Sequence, residues 1–151
     1  IDPARLVFGE HAPRPKHLER LTLADLALDT LVCNGHTTTS DALWAGLPVV
    51  TCRGTNLPSR VSESLLRASG LGELVAEDLE GYRELALELA ENPSRLAKLR
   101  SRVAAARASS PLFDTAGFVR HLEAAFRLMW QHRGEDSREP IHARAANGGG
   151  A

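Results

Sequence analysis

In the first half of the chain, short apolar runs alternate with segments whose apolar residues have helical spacing. The apolar runs predict four β-strands, at about residues 6–8, 25–29, 48–51 and 74–75. The segments between them predict helices over about 16–21, 37–45 and 59–69. Strands that alternate with helices form parallel sheets with crossover connections. The predicted fold class is therefore α/β, with a parallel sheet.

Glycines mark the predicted turns. Gly46 and Gly70 each follow the last residues of a predicted helix, where a left-handed backbone commonly ends helices. Asn34-Gly35 predicts a tight turn with positive φ just before the helix at 37–45. That helix therefore starts directly after a strand and a short loop.

After about residue 77 the pattern is helical only. One apolar stripe ends at Pro93: Tyr82, Leu85, Ala86 and Leu89. A second helix, with Ser94 as its predicted cap, has an apolar inner face: Leu96, Leu99 and Val103. Pro111 ends this helix, because proline disfavours a helical residue before it. A third helix is capped by Asp114, ends near Trp130 and has apolar residues on one side: Phe118, Leu122, Phe126 and Met129.

Composition argues against several classes of protein. The chain has 151 residues with 18 Lys+Arg against 19 Asp+Glu, a balance that argues against a basic nucleic-acid-binding or membrane-surface domain. Its apolar runs are too short to cross a bilayer. Cys33 and Cys52 are too few for a disulfide framework or a cysteine-based zinc site, and they are expected to be small buried residues rather than nucleophiles. No basic-then-apolar leader is present, so a cytoplasmic location is expected.

The two ends of the chain differ from its middle. Residue 1 is Ile and a strand-like run follows at once, so we expect the chain to begin inside a larger protein. Residues 134–151 combine low hydrophobicity with a glycine run and are expected to form a disordered tail. Residues 1–76 are then the α/β part, and residues 77–133 are helices that pack on it.

Segment 29–51 is the candidate site, because it is predicted to run strand, loop, helix and strand. His36, Thr37 and Thr38 open the helix, and the first turn of a helix has free N–H groups and a partial positive charge. The loop lies at the carboxyl end of a strand, where ligands bind in open α/β sheets. The pattern predicts a site for the diphosphate of a sugar nucleotide, with Asp41 placed to accept from sugar hydroxyls.

The same residues have a simpler interpretation. Thr38 or Ser40 caps the helix, and Asp41 is an acidic residue favoured near a helix N-terminus. The segment is neither a Walker sequence nor a G-x-G-x-x-G motif. Spacing alone therefore leaves both interpretations open.

Several motifs, in order, resemble the O-GlcNAc transferase/SPINDLY family, which is glycosyltransferase family 41. They are residues 17–30, NGHTT at 34–38, DALWAGLP at 41–48, SRV at 59–61 and SSPLFDT at 109–115. The resemblance covers roughly residues 3–130 and is to the C-terminal part of the catalytic region, of the bacterial type. It implies a GT-B fold, in which this chain is part of the Rossmann-like C-terminal lobe followed by closing helices.

The resemblance also implies how the donor phosphates are held. By position, His36, Thr37 and Thr38 hold the diphosphate, His36 helps to stabilise the departing UDP, and Asp41 holds the ribose. No metal or other cofactor is implied, because the helix dipole and basic groups stabilise the charge of the leaving group.

Five further residues are implied to contact the base and the sugar. His17 packs against the uracil ring, with the Ala12 main chain and Arg20 near its polar edge. Cys33 lies near the N-acyl group of the sugar. Arg14 stands where the animal enzymes have a lysine, and it is an implied donor contact.

The implied function is inverting transfer of N-acetylglucosamine from UDP-GlcNAc to Ser/Thr of proteins. Two alternatives remain: a GDP-fucose-using protein O-fucosyltransferase of the SPINDLY type, and a catalytically inactive nucleotide-binding or scaffold protein. Protein acceptors and the general base are expected to meet the donor through an N-terminal lobe and upstream tetratricopeptide repeats outside this chain. Nucleic-acid and membrane partners are not expected, and this chain alone is expected to be inactive.

Overall fold

Three short parallel strands form the centre of the fold in a computed structural model that describes residues 2–134. The strands are β1 (Ala27–Leu28), β2 (Val49–Cys52) and β3 (Val75–Ala76), in the order β1-β2-β3. Leu28 pairs with Val50, and Thr51 pairs with Val75, in parallel register. The α/β fold class with a parallel sheet is confirmed.

Six α-helices and three short 3₁₀ turns surround the sheet within residues 2–134. The helices are α1 (Arg14–Leu21), α2 (Thr37–Trp44), α3 (Val61–Ala68), α4 (Leu79–Glu91), α5 (Pro93–Ser109) and α6 (Thr115–Gln131). The 3₁₀ turns are Pro3–Arg5, Leu57–Ser59 and Gly72–Leu74. Each predicted helix is therefore present, with ends that differ by a few residues from those predicted.

The predicted strand at residues 6–8 is wrong. Residues 3–5 form a 3₁₀ turn instead, and Val7 and Phe8 are 92% and 90% exposed. A strand is stable only when a neighbour pairs with its backbone. The sheet within residues 2–134 contains β1, β2 and β3 alone, so this apolar run has no strand beside it there.

The core lies where α2, α3 and α4 pack on the central strand and α5 packs on α2 and α4. All four residues of β2 are buried, as expected for a strand with helices on both faces of the sheet. The buried cluster draws on both halves of the chain: Ala42, Leu43, Leu47, Val49, Val50, Leu66, Leu71, Leu74, Leu89, Leu99 and Val103. Leu89 and Leu99 belong to the stripes predicted for the second half. Through these faces α4 packs on β2 and β3, and α5 packs on α2 and α4.

Most predicted helix ends are confirmed. Gly46 and Gly70 have φ of 84° and 69°, and Asp114 accepts a hydrogen bond from the Gly117 N–H at 2.8 Å. The predicted cap Ser94 is wrong, because Asn92 Oδ1 accepts from the Arg95 N–H at 3.0 Å. The helix starts earlier because Pro93 suits its first position, where no N–H is needed.

The last helix, α6, exposes its apolar side. The exposed residues include Phe118, Leu122, Phe126, Met129 and Trp130. None of the helices among the described residues has both the length and the apolar content to cross a membrane. The prediction of a disordered tail at 134–151 concerns residues outside the described range, apart from Gly134.

Candidate functional site

The loop that leads into α2 is fastened by a carboxylate at the end of β1. Asp29 Oδ1 accepts from the N–H groups of Thr30 at 2.9 Å and Gly35 at 2.7 Å. Asp29 Oδ2 accepts from Thr51 Oγ1 at 2.6 Å. The Tyr82 hydroxyl donates to the Asp29 backbone carbonyl at 3.0 Å. One residue therefore joins both ends of the loop to β2 and to α4.

Gly35 is required by close packing and not by a left-handed backbone. The predicted positive φ at Asn34-Gly35 is wrong, because the positive φ values within residues 2–134 occur at Gly46, Gly70 and Gly134. A Cβ on Gly35 would lie 2.5 Å from Thr38 Oγ1 and 2.6 Å from Thr39 Oγ1. The first turn of α2 thus packs directly on the loop backbone.

Asn34 and Ser62 fasten the same loop to the N-terminal turn of α3. The buried Asn34 donates from its backbone N–H to Pro58 O at 2.9 Å and from Nδ2 to Thr30 O at 2.8 Å. Ser62 Oγ donates to Gly35 O at 3.0 Å and shares a hydrogen bond of 2.9 Å with Thr39 Oγ1. Sequence reasoning did not identify Ser62, because its contacts are with residues more than 20 positions away.

The N-terminus of α2 has no side-chain cap among the described residues. His36 stands at the cap position and makes no capping hydrogen bond, and neither Thr38 nor Ser40 supplies one. The interpretation of Thr38 or Ser40 as a simple helix cap is therefore wrong. Asp41 also lies beyond the first turn of α2, which contains no acidic residue. His36, Thr37 and Thr38 are exposed, so the first N–H groups of α2 face an accessible surface.

The His36 ring contacts the backbone of the loop before α3. His36 Nε2 lies 3.4 Å from Pro58 O. A ring in this pose donates from Nε2 to the carbonyl, which leaves Nδ1 as the second nitrogen. His36 then donates to an anion only through a protonated Nδ1 or after rotating away from Pro58.

Arg14 and Asp41 join α1 to α2. Arg14 Nη2 donates to Asp41 Oδ1 at 2.8 Å, and the Asp41 side chain is 9% exposed against 70% for Arg14. The pair lines a cavity of about 480 Å³ together with Trp44 and Phe113. The rings of Trp44 and Phe113 meet edge to face with centroids 5.2 Å apart, and Arg107 lies over Trp44 at 3.9 Å.

A second, smaller cavity holds two other predicted donor contacts. His17 and Thr38 both line this cavity of about 200 Å³, beside Asp29 and Gly35. Arg20 lies next to His17: its Nη2 is 3.3 Å from His17 Nδ1, and its Nη1 donates to Glu10 O at 2.8 Å. The structure therefore brings His17 to the start of α2.

Ala12, Arg20, Cys33, His36 and Thr37 line neither of these two cavities. The expectation that Cys33 is buried is wrong, because its loop position leaves it exposed. Cys52 is buried in β2 as expected; burial, and then the charges of Asp78 and Glu77, raise the pKa of its thiol.

A charged cluster lies behind the loop that precedes α3. The buried Glu63 carboxylate accepts from Arg53 Nη2 at 2.5 Å and from Arg67 Nε at 2.9 Å, and Arg53 also pairs with Glu77. These partners, Arg53 foremost, lower the pKa of Glu63 from 4.5 to about 2. Its Oε2 atom makes no hydrogen bond within residues 2–134, although Arg60 Nε lies 3.5 Å away.

The described residues contain no group of three or more His, Cys, Asp or Glu side chains that could hold a metal ion. The polar groups around α2 are instead N–H groups, hydroxyls and one arginine–carboxylate pair. Such groups suit an anionic ligand with hydroxyls of its own.

A family model and curated relatives match most of the chain. The model for glycosyl transferase family 41 matches residues 1–122. A probable UDP-N-acetylglucosamine–peptide N-acetylglucosaminyltransferase SEC of Arabidopsis thaliana is 41% identical over 131 residues, which cover 86% of this chain and 13% of that protein. The UDP-N-acetylglucosamine–peptide N-acetylglucosaminyltransferase of Caenorhabditis elegans is 43% identical over 131 residues, 87% of this chain and 11% of that protein.

A solved structure matches the fold as well. A mutant O-GlcNAc transferase of Thermobaculum terrenum superposes with a TM-score of 0.75 at 39% sequence identity, over 80% of this chain and 23% of that one. A probable SPINDLY protein of Petunia hybrida is 40% identical over 131 residues, 87% of this chain and 14% of that protein. The chain thus spans only a small share of the length of these relatives.

Proposed function

The chain belongs to glycosyltransferase family 41, and on that premise we propose that it is the C-terminal part of the catalytic region of a protein O-GlcNAc transferase. Its role there is to bind UDP-GlcNAc for inverting transfer of GlcNAc to Ser/Thr of acceptor proteins. The observation that carries this proposal is the uncapped, accessible N-terminus of α2 at the carboxyl end of the parallel sheet.

The diphosphate lies at that helix start. The N–H groups and hydroxyls of Thr37 and Thr38 donate to it, and His36 adds a donor through Nδ1 or after its ring turns away from Pro58 O. The positive end of the α2 dipole favours the same charge. In this proposal, hydrogen-bond donors and the helix dipole hold the phosphates.

The nucleoside occupies the surface between α1 and α2. Asp41 accepts from ribose hydroxyls beside Arg14, whose guanidinium already contacts that carboxylate. His17 stacks on the uracil. Arg20 and the Ala12 main chain meet its polar edge, and Cys33 lies near the N-acyl group; these three assignments rest on the family resemblance.

The chemical role of this surface is to stabilise the leaving group. The acceptor hydroxyl attacks the anomeric carbon from the face opposite the diphosphate, and its proton passes to a base outside this chain. The bond from that carbon to the diphosphate oxygen breaks, and UDP leaves with the bonding electrons. Donors that meet the growing negative charge at the start of α2 lower the barrier.

The acceptor side of the reaction belongs to other parts of a longer protein. The relatives are seven to nine times longer than the matched segment, since it covers 11% to 14% of them. We expect residues 1–151 alone to be inactive, and a cytoplasmic location remains a prediction.

The test uses three variants of the full-length protein: two at the start of α2 and one control at the start of α6. His36→Ala is expected to lower kcat/KM by about 100-fold, as loss of one donor to a developing charge does elsewhere. Thr37→Val removes a hydroxyl at the first position of α2, and Thr115→Val makes the same change at the first position of the capped helix α6. Only Thr37→Val should weaken UDP binding; near-normal kcat/KM in folded His36→Ala would contradict the proposal.

The affinities for UDP and GDP, measured by calorimetry, distinguish a UDP-GlcNAc donor from a GDP-fucose donor. UDP should bind at least about tenfold more tightly than GDP, a difference of about 1.4 kcal/mol. Preference for GDP would favour the GDP-fucose alternative. Tight UDP binding without transfer to any acceptor protein would favour an inactive nucleotide-binding protein.

A further inference from the structure

We infer that Asp29 is a positioning residue that sets the place of the proposed diphosphate site by closing the loop at residues 30–35. The inference rests on the proposed function, because it concerns how that site is held. Asp29 acts through this loop, although it also lines the cavity beside His17 and Thr38.

The carboxylate closes the loop at both ends. Asp29 Oδ1 accepts from the N–H of Thr30, the first loop residue, and from the N–H of Gly35, the last one. Gly35 is followed directly by His36 and the exposed threonines of α2. One oxygen atom therefore ties both ends of the loop, and with them the helix start, to the end of β1, while Ser62 holds the Gly35 carbonyl from α3.

Contacts with β2 and α4 hold Asp29 in place. Asp29 follows β1, whose Leu28 pairs with Val50, so Asp29 lies beside the fully buried Thr51 of β2. Thr51 donates to the other carboxylate oxygen, and Tyr82 of α4 donates to the Asp29 carbonyl. Burial raises the pKa of the Tyr82 hydroxyl, and the nearby Asp29 charge adds to the rise, so the hydroxyl stays a donor.

The negative charge of Asp29 indicates that this residue positions the loop and does not bind the phosphates. A carboxylate close to a diphosphate site opposes the bound anion. Three donors share the Asp29 charge, and they include the Gly35 N–H, which is thereby withheld from the ligand. The N–H groups left to meet the phosphates are those of Thr37 and Thr38, two and three residues further along the chain.

The experiment compares UDP with uridine, which lacks the diphosphate, in the full-length protein. Asp29→Ala should weaken UDP binding by at least about tenfold while uridine binding stays within about twofold, since displacement of a site by about 1 Å costs that much or more. Asp29→Asn keeps an oxygen for both N–H groups and should restore the ratio of UDP to uridine affinity to near the unsubstituted value. Thr51→Val, which removes the support on the sheet side but leaves both N–H contacts of Asp29, should lower Tm and reduce that ratio less than Asp29→Ala does.

The outcomes distinguish specific positioning of the diphosphate site from a general structural role of Asp29. Equal losses of UDP and uridine affinity in Asp29→Ala would overturn the inference, because a merely structural carboxylate affects both. If Asp29→Ala does not fold, hydrogen exchange in the unsubstituted protein decides: the Gly35 amide should be protected without ligand, and Thr37 and Thr38 only with UDP. A Gly35 amide that gains protection only with UDP would also overturn it. Absence of UDP binding in the unsubstituted protein is a failure of the proposed function instead.

Discussion

Arg14 Nη2 lies 2.8 Å from Asp41 Oδ1, and this ion pair connects the first turn of α1 to the middle of α2. Asp41 is buried whereas Arg14 is mostly exposed. An exposed arginine contributes little stability, about 1 kcal/mol or less. The pair is better understood as fixing the direction in which the Asp41 carboxylate points, so that its second oxygen is available to a ligand hydroxyl.

Asp41→Asn is expected to weaken UDP binding by about tenfold or more, because a hydrogen bond to a charged group is worth about 1.5–3 kcal/mol. Calorimetry on the full-length protein measures the change. Asp25→Asn is the matched control, since Asp25 also pairs with an arginine, Arg100, but is 81% exposed and lies in a different cavity. Equal affinities for the two variants would contradict a ribose role for Asp41.

Glu63→Gln is expected to destabilise the protein by about 3 kcal/mol, because it leaves Arg53 without its buried partner. The pKa of Glu63 is lowered from 4.5 to about 2 on folding, so its stabilising contribution is complete above about pH 4.5 and is lost as pH falls towards 2. Thermal melts from pH 7 to pH 3 check this expectation. The gap in Tm between Glu63→Gln and the unsubstituted protein should narrow as pH falls.

The control for that series is Glu80→Gln. Glu80 pairs with Arg83 on the exposed surface of α4, and that pair lowers the pKa of Glu80 as well. An exposed pair is screened by solvent, so this variant should melt close to the unsubstituted protein. A gap for Glu63→Gln that stays constant with pH would contradict the role given to its charge.

Gly35→Ala is expected to reduce UDP affinity by about tenfold, since even small displacements of a binding group are costly. The new Cβ would lie within 2.6 Å of the hydroxyls of Thr38 and Thr39 and so would push α2 away from the loop. Gly72→Ala serves as the control, because its Cβ would meet Arg67 only at an ordinary 3.5 Å. If Gly35→Ala binds UDP normally, the contact with the threonines does not hold the site.

Leu89→Ala is expected to lower the free energy of unfolding by about 2–5 kcal/mol, the usual cost of a cavity in a core. Leu89 is fully buried between α4 and the sheet, whereas Leu87 on the same helix is 47% exposed. Leu87→Ala should therefore cost much less in denaturant unfolding. Similar losses for both variants would show that α4 does not pack on the sheet as described.

The helices of the second half could be predicted because their signals are local. The stripe that ends at Leu89 and the breaks at Pro93 and Pro111 depend on spacing within a few residues. The strand predicted at residues 6–8 is wrong because strand formation depends on contacts that are not local. Its residues have the right composition, but a strand needs a neighbour, and none lies beside it within residues 2–134.

In the candidate site, too, local features could be predicted from the sequence and contacts between distant segments could not. The start of α2 at Thr37 was predicted from its own residues. The contacts that hold it, from Asp29, Ser62 and Pro58, join segments that are brought together only by the fold. For Gly35, the sequence indicated that glycine was needed but suggested the wrong cause, since its neighbours in space decide it and its φ does not.

Trp44, which packs edge to face on Phe113, is a fluorescent residue in the lining of the cavity beside Asp41. Trp44 lies under Arg107, and it lines the same cavity as Arg14. The chain has one other tryptophan, Trp130, far along α6 in a different setting. A ligand that enters the cavity changes both the solvent and the charge around the Trp44 indole. Its fluorescence emission therefore reports occupancy of this cavity, on one side of the proposed nucleotide site, without any added label.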